Sequence, residues 1–145
     1  DRSPSRGLGD VYKRQHITLE TDYAIRIVLY LAKANKRVEA KNISENTEVT
    51  LRFALKILRK LVAEGIVKSF KGTQGGYELN KKPEEITLAN VIETVEGTYY
   101  LSRCLNPEQG CNREGKTSCK VQRVFSEISK MVQTQLEKVT IAQLI

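Results

Sequence analysis

The stretch TLRFALKILRKLVAEGIVKSFKGTQGGYEL, residues 50–79, decides the fold, because it joins an amphipathic helix to a β-hairpin. Apolar residues recur along its first half at helical spacing, which predicts a helix over Leu51–Glu64. Thr50 is a good N-cap, and Gly65 stops the helix at its C-terminal end. The predicted apolar stripe consists of Leu51, Ala54, Leu55, Leu58, Leu61 and Val62.

The secondary-structure elements predicted on either side of this helix indicate the fold. Upstream, apolar spacing predicts a helix over Glu20–Ala34 and a short helix over Ala40–Asn46. Downstream, strands Ile66–Phe70 and Tyr77–Leu79 flank a basic, glycine-rich turn. Helix, short helix, turn, helix and hairpin is the order of a winged helix-turn-helix. The predicted fold class is therefore mainly α with a small β-hairpin wing.

Basic side chains lie opposite the apolar stripe of the third helix, and no acidic residue of that helix precedes Glu64. A helix fits the major groove of DNA, and a hairpin tip reaches the adjacent backbone. A merely solvated charged face and a merely tight hairpin are the alternatives. The predicted interface with a double-stranded DNA operator comprises Thr50, Arg52, Phe53, Lys56, Arg59, Lys60, Lys71, Thr73 and Gln74.

The overall charge agrees with an anionic partner. The 145 residues carry a formal charge of +7, and the pI is about 9.4. Residues 1–15 resemble translated adapter sequence and are expected to be a non-native or disordered tail; they contribute +2 of that charge. The absence of a membrane-length apolar run or a signal pattern favours a cytoplasmic protein with no membrane partner. The sequence offers no nucleophile–base pair or phosphate loop, so an enzyme is not expected.

The C-terminal half is predicted to hold a long cysteine-containing loop and a dimerisation helix. Thr87 begins a short helix that Gly97 ends, and a final helix is predicted over Lys120–Lys138. In that helix Val121, Phe125, Ile128 and Val132 form a coiled-coil-like seam, which predicts a homodimer. The expected divisions are the helix-turn-helix domain 16–82, a connecting helix 83–97, a cysteine loop 98–119, and the dimerisation helix with a C-terminal turn 120–145.

Three cysteines, Cys104, Cys111 and Cys119, lie in or at the end of the predicted loop. An odd number argues against a disulfide framework. Thiolates are soft ligands that suit iron–sulfur clusters or zinc. The spacings are longer than those of most zinc sites, and His16 is the sole histidine. From the residues alone, a cluster, zinc, a metal-free thiol switch and no role remain open.

From Thr18 to Ile145 the chain resembles the Rrf-two (Rrf2) family of winged-helix regulators. The resemblance rests on TDYAIRIVLYLA (21–32), VTLRFALKILRKLVAEGIVKS (49–69), KGTQGGYEL (71–79), PEEITLANVIETVEG (83–97), the cysteine loop and TIAQLI (140–145). It implies a homodimer that binds a two-fold symmetric operator, expected to act as a repressor. The other reading is a winged-helix protein interaction module, or a thiol-switch regulator, with structural zinc or no metal.

In cluster-binding members of that family, three loop cysteines hold the iron. The resemblance therefore implies an iron–sulfur cluster, 2Fe–2S or 4Fe–4S, on Cys104, Cys111 and Cys119, which senses redox state, nitric oxide or iron status. The chain lacks the histidine that the assembly-regulator branch places after the third cysteine. The TDYAIR segment is closer to the nitric-oxide-sensor branch, where an aspartate at the position of Asp22, from the other subunit, completes a 4Fe–4S cluster. The alternative for Asp22 is a purely structural role, as a carboxylate in the first turn of a helix that interacts favourably with the helix dipole.

Overall fold

A computed structural model describes residues 17–100, 105 and 119–145. The predicted tail, Cys104 and Cys111 lie outside the described residues. Within the described part, the elements follow the predicted order and nearly the predicted bounds. They are helix α1 (Leu19–Ala34), α2 (Ala40–Thr47), α3 (Leu51–Ala63), strand β1 (Val67–Phe70), β2 (Gly76–Leu79), a 3-10 helix (Pro83–Glu85), α4 (Leu88–Glu96), α5 (Lys120–Lys138) and a final 3-10 helix (Ile141–Leu144).

Local signals in the sequence fix both ends of α3. The Thr50 hydroxyl accepts a hydrogen bond from the N–H of Phe53, which satisfies one of the unpaired donors at the helix start. At the other end Gly65 has a positive φ of 78°, a conformation in which a side chain would be strained. The N–H groups of Gly65 and Ile66 then donate to the carbonyls of Val62 and Leu61, which is a Schellman ending.

The buried face of α3 differs in part from the predicted stripe. Ala54, Ile57, Leu58 and Leu61 are fully buried. Leu51, which the sequence assigned to the stripe, is 44% exposed, whereas Ile57, which it omitted, is at the centre of the core. The reason is that α1, α2 and α4 all contact α3, so the buried sector is set by several neighbours rather than by one.

The wing is a two-stranded antiparallel hairpin whose register pairs Val67 with Leu79 and Phe70 with Gly76. A third segment joins it, because Val38 and Tyr77 exchange backbone hydrogen bonds of 2.9 and 2.8 Å. Gly76 is needed at this crossing. A Cβ there would lie 2.7 Å from the Val38 carbonyl oxygen, closer than side chains tolerate. The wing is therefore fastened to the loop that follows α1.

The end of the chain returns to the helix-turn-helix core. The N–H of Ile141 donates to the carbonyl of Ile86 at 2.8 Å, and that of Leu88 donates to Val139 at 2.9 Å. Ile86, Val91 and Ile141 are fully buried in the same core as α1 and α3. These hydrogen bonds and the burial of Ile141 fasten the C-terminal end of α5 to the helix-turn-helix core. None of the helices in the described ranges has the length and apolar character that a membrane span needs.

The long helix α5 has two apolar sides. Phe125, Val132 and Leu136 are half-buried on the side of the one buried residue of this helix, Ser129. A second side of the helix is exposed and carries four apolar residues, here called the exposed seam: Val121, Val124, Ile128 and Met131. The predicted seam therefore divides in the structure: Val121 and Ile128 remain exposed, whereas Phe125 and Val132 are partly covered within the chain.

Candidate nucleic-acid interface

The outward face of α3 is a basic surface. Arg52, Lys56 and Arg59 recur at intervals of four and three residues and are all exposed. They line a concave region of about 610 Å³ together with Phe53 and Leu55. Within the described residues, Arg52 and Arg59 form no ion pair or hydrogen bond, so their guanidinium groups are available to an external anion.

An acidic residue of α1 reaches this surface, contrary to the expectation of an unopposed basic face. The Glu20 carboxylate lies 2.9 Å from the Lys60 ammonium and 3.6 Å from that of Lys56. Spacing along α3 does not reveal this carboxylate, because Glu20 lies 40 positions before Lys60 and on another helix. Lys60 is thus the most strongly paired cation of the predicted set.

Phe53 stands at the edge of the basic surface with 45% of its area exposed. Its ring meets that of Tyr23 edge-on, with centroids 6.2 Å apart. The Tyr23 ring in turn lies 5.2 Å from the Arg26 guanidinium. This aromatic contact between α1 and α3 holds the position of Phe53, although the ring itself is not in the core.

At the wing tip the side chains of Lys71, Thr73 and Gln74 are all exposed. The sequence did not single out Arg37, which positions this tip. Its guanidinium stacks 3.4 Å from the centre of the Phe70 ring and donates to the Gln74 carbonyl at 2.9 Å. Only the pairing of Val38 with Tyr77 brings Arg37 there, so no local signal identifies it.

The first turn of α1 links two regions of the site. The Thr21 hydroxyl, fully buried, donates to the carboxylate of Glu96 at 2.7 Å. Glu96 is the last residue of α4, and only Gly97 separates it from the predicted cysteine loop. Asp22 pairs with Arg26 at 2.8 Å and is half-exposed, and Arg26 also donates to the Thr47 carbonyl. Residues 20–22 therefore contact α3 through Glu20 and α4 through Thr21, while Arg26, one turn later, reaches α2.

Cys119 is the one predicted cysteine ligand within the described residues. It immediately precedes α5, and its sulfur accepts a hydrogen bond from the Gln122 N–H at 3.5 Å. It is partly buried and lines a groove with Leu105, Arg123 and Lys130. In the part of the chain that the structure describes, no three histidine, cysteine or acidic side chains converge as a metal site.

Residues 17–145 match the Rrf2 family, described as "Iron-dependent Transcriptional regulator". The chain belongs to the Rrf2 family. The family and the mainly α, winged-helix fold class predicted from the sequence are thereby confirmed. Membership implies DNA binding and makes the chain a transcriptional regulator.

Among similar proteins, the HTH-type transcriptional regulator NsrR of Shouchella clausii is 29% identical over 136 residues, which cover 89% of this chain and 87% of that protein. T. potens IscR superposes with a TM-score of 0.69 at 22% identity, over 88% of this chain and 84% of that one. CymR, the global cysteine regulator of B. subtilis, superposes with a TM-score of 0.66 at 23% identity, over 88% and 94% of the two chains. These two structures support the Rrf2 fold.

Proposed function

We propose that this Rrf2 protein is a homodimeric repressor that binds a two-fold symmetric operator in double-stranded DNA and senses its signal through an iron–sulfur cluster. The observation that carries DNA binding is the outward face of α3. Its cations are exposed, and Arg52 and Arg59 have no acidic partner among the described residues, while Ala54, Ile57, Leu58 and Leu61 anchor the opposite side in the core. The helix can therefore enter a groove without any loss of core packing. Bound across a promoter, such a dimer would exclude the polymerase.

The contacts are proposed to divide between bases and phosphates. Arg52 and Phe53 lie in the first turn of α3, the part of a recognition helix that meets base edges. The other proposed contacts go mainly to the phosphates, where cations release bound counterions. They are Thr50, Lys56, Arg59 and Lys60 on α3 and Lys71, Thr73 and Gln74 on the wing.

A second copy of the chain is the proposed occupant of the exposed seam on α5. Its members Val121, Val124, Ile128 and Met131 are 39 to 68% exposed and follow the 3-4-3 spacing of a coiled coil. A two-fold axis along this seam would pair each patch with its own copy. A symmetric operator requires that the same two-fold axis also relate the two α3 helices.

DNA binding is tested by measuring duplex affinity over a range of salt concentrations. The triple variant Arg52→Ala, Lys56→Ala, Arg59→Ala should bind all duplexes more weakly. Its salt dependence should flatten by about 0.9 unit in log–log slope for each phosphate that the variant no longer neutralises. Thr134→Ala, on the polar side of α5, is the matched surface control. Equal affinity of the wild type and the triple variant would refute the proposed interface.

The proposed cluster ligands are Cys104, Cys111 and Cys119, with Asp22 of the partner subunit as the fourth. The donor chemistry supports them, because thiolates suit iron and one oxygen ligand suits a labile, sensing cluster. Cys119 lies at the positive end of the α5 dipole, which favours a negatively charged ligand group. The iron dependence in the family description points the same way. Asp22 is half-exposed and would have to leave Arg26 to bind iron.

The contacts of α1 supply a route from the cluster ligands to the DNA. Glu96, which accepts a hydrogen bond from Thr21, is separated from the cysteine loop only by Gly97. Glu20, beside Thr21, forms an ion pair with Lys60 of α3. Thus a rearrangement of the loop or of Asp22 would act on the same helical turn that positions α3. When bound, the cluster would supply reactivity towards nitric oxide, oxygen or iron shortage; the residues of the chain supply the mechanical link.

The cluster is tested by anaerobic purification followed by iron and sulfide analysis and visible absorption. Each Cys→Ala variant should lose the chromophore, and Asp22→Ala should retain a more labile form or lose it. Arg26→Ala, which frees Asp22 without removing it, should keep the chromophore. If the wild type takes up no iron and binds zinc instead, or forms only a reversible disulfide, the cluster is refuted while DNA binding stands.

A further inference from the structure

The basic surface of α3 includes an apolar patch, and binding of phosphates by its cations does not account for that patch. The concave region bounded by Arg52, Lys56 and Arg59 has a predominantly apolar lining, and its apolar side chains are Phe53 and Leu55. At 100° per residue these two lie on opposite flanks of Arg52. A helix that bound phosphates alone would need no such carbon surface between its cations.

Phe53 is held in place for contact rather than buried for stability. Almost half of its surface is exposed, yet its ring packs edge-on against Tyr23 and has the Lys56 ammonium 6.0 Å from its centre. A side chain fixed in this way loses little conformational freedom on binding. Leu55 lies one turn before Arg59 and is only partly buried. Both are therefore ready-made contact groups for an apolar ligand atom.

The cations beside them restrict what that ligand is. Arg52 and Arg59 have no acidic partner among the described residues, so the apolar patch lies in a strongly positive field. An occupant must then combine a polyanionic backbone with an apolar group between its charges. In the major groove of DNA, the C5-methyl group of thymine is that apolar group.

We infer that Phe53 and Leu55 read thymine methyl groups on either side of the base contacted by Arg52. This rests on the proposed DNA-binding function and adds a specificity to it. An arginine at a base edge favours guanine. Each operator half-site should then contain a guanine flanked by thymines, on one or both strands, within the few base pairs that the first two turns of α3 cover.

The probe is a duplex pool of random sequence, selected with the wild-type protein and then resynthesised with deoxyuridine in place of thymidine. This exchange removes the methyl group and leaves base pairing unchanged. Wild type should bind the selected duplex about fourfold more weakly for each contacted methyl that is removed, as expected for loss of one buried carbon group. Thymidines outside the predicted positions should be replaceable without loss.

Variants separate the methyl contact from DNA binding in general. Phe53→Ala should bind the selected duplex more weakly and lose part of the thymidine preference, while Phe53→Leu, which keeps an apolar group, should retain it. Arg52→Ala should weaken binding but keep the preference. Specific binding by wild type that is indifferent to every thymidine-to-deoxyuridine exchange would overturn the methyl contact and leave the proposed function intact. Failure to enrich any sequence would overturn both.

Discussion

Helices α3 and α5 are both amphipathic, but only the apolar side of α3 is largely covered by other parts of the chain. In α3 the apolar residues Ala54, Ile57, Leu58 and Leu61 are fully buried by α1, α2 and α4. In α5 Ser129 is the one buried residue, while four large apolar side chains remain 39% exposed or more. The two helices thus expose different kinds of side chain to solvent: α3 exposes cations, and α5 exposes apolar side chains.

This difference indicates what each helix requires from outside the chain. A folded helix with free cations gains from a polyanion, and it is fully formed before binding. A helix with a continuous exposed apolar stripe gains from a second apolar surface, since such patches rarely remain uncovered in monomers. Association is therefore expected to be part of the stability of α5 but not of α3.

The largest expected effect comes from placing a charge in the exposed stripe of α5. Ile128→Asp should destabilise the dimer by about 3–5 kcal/mol, because it buries an unpaired carboxylate between two copies. Sedimentation at micromolar concentration should then show monomers. Thr134→Asp adds the same charge on the polar side of the helix and should leave the dimer intact. A wild-type chain that is already monomeric under these conditions would contradict the comparison.

The second effect separates the two sides of α3. Leu58→Ala removes a fully buried side chain and should lower the free energy of unfolding by about 2–5 kcal/mol. Leu51→Ala, at an exposed position of the same helix, should change it by less than about 0.5 kcal/mol. Urea denaturation of both variants at equal protein concentration measures the difference. A large decrease for Leu51→Ala would restore the stripe predicted from the sequence.

The wrong prediction that Leu51 is buried shows which features of the fold can be predicted from the sequence. The ends of α3 were predicted within one residue, because Thr50 and Gly65 act through hydrogen bonds to their own neighbours. The buried side was predicted less well, because it depends on where other helices pack. Ile57 is buried since α3 is surrounded by α1, α2 and α4, and periodicity along one helix does not contain that information.

In the candidate site, too, the features that depend on local spacing were predicted, and the contacts between distant parts of the chain were not. Arg52, Lys56 and Arg59 were predicted as one exposed face, and their spacing alone is sufficient for that. Arg37 against the wing and Glu20 against Lys60 were missed, because each pair is separated by more than 30 positions and meets only after folding. Cys104 and Cys111 lie outside the described residues, so their joint role with Cys119 stays a prediction.

A smaller effect distinguishes base contacts from phosphate contacts. Arg52→Ala should cost about 1–3 kcal/mol on the preferred duplex and much less on an unrelated one, because an arginine at a base edge supplies discrimination. Lys71→Ala, at the wing tip, should instead weaken both duplexes alike and flatten the salt slope by about one unit. Competition titrations with the two duplexes measure the ratio. Equal weakening on both duplexes for Arg52→Ala would assign it to the backbone.

The smallest effect, and the only one expected to strengthen binding, belongs to Glu20. Its carboxylate lies 2.9 Å from Lys60 and 3.6 Å from Lys56, and it opposes any phosphate that approaches them. Glu20→Gln removes one negative charge, so duplexes of any sequence should bind more tightly by about 0.2–1 kcal/mol, the range of exposed ion pairs. Lys60→Ala should weaken binding in the wild type, because Lys60 is a proposed phosphate contact, and should weaken it by more in the Glu20→Gln background, where no carboxylate competes for the ammonium. A double-mutant cycle of duplex affinities measures that coupling. If Glu20→Gln weakens binding instead, the carboxylate positions α3 for DNA rather than opposing it.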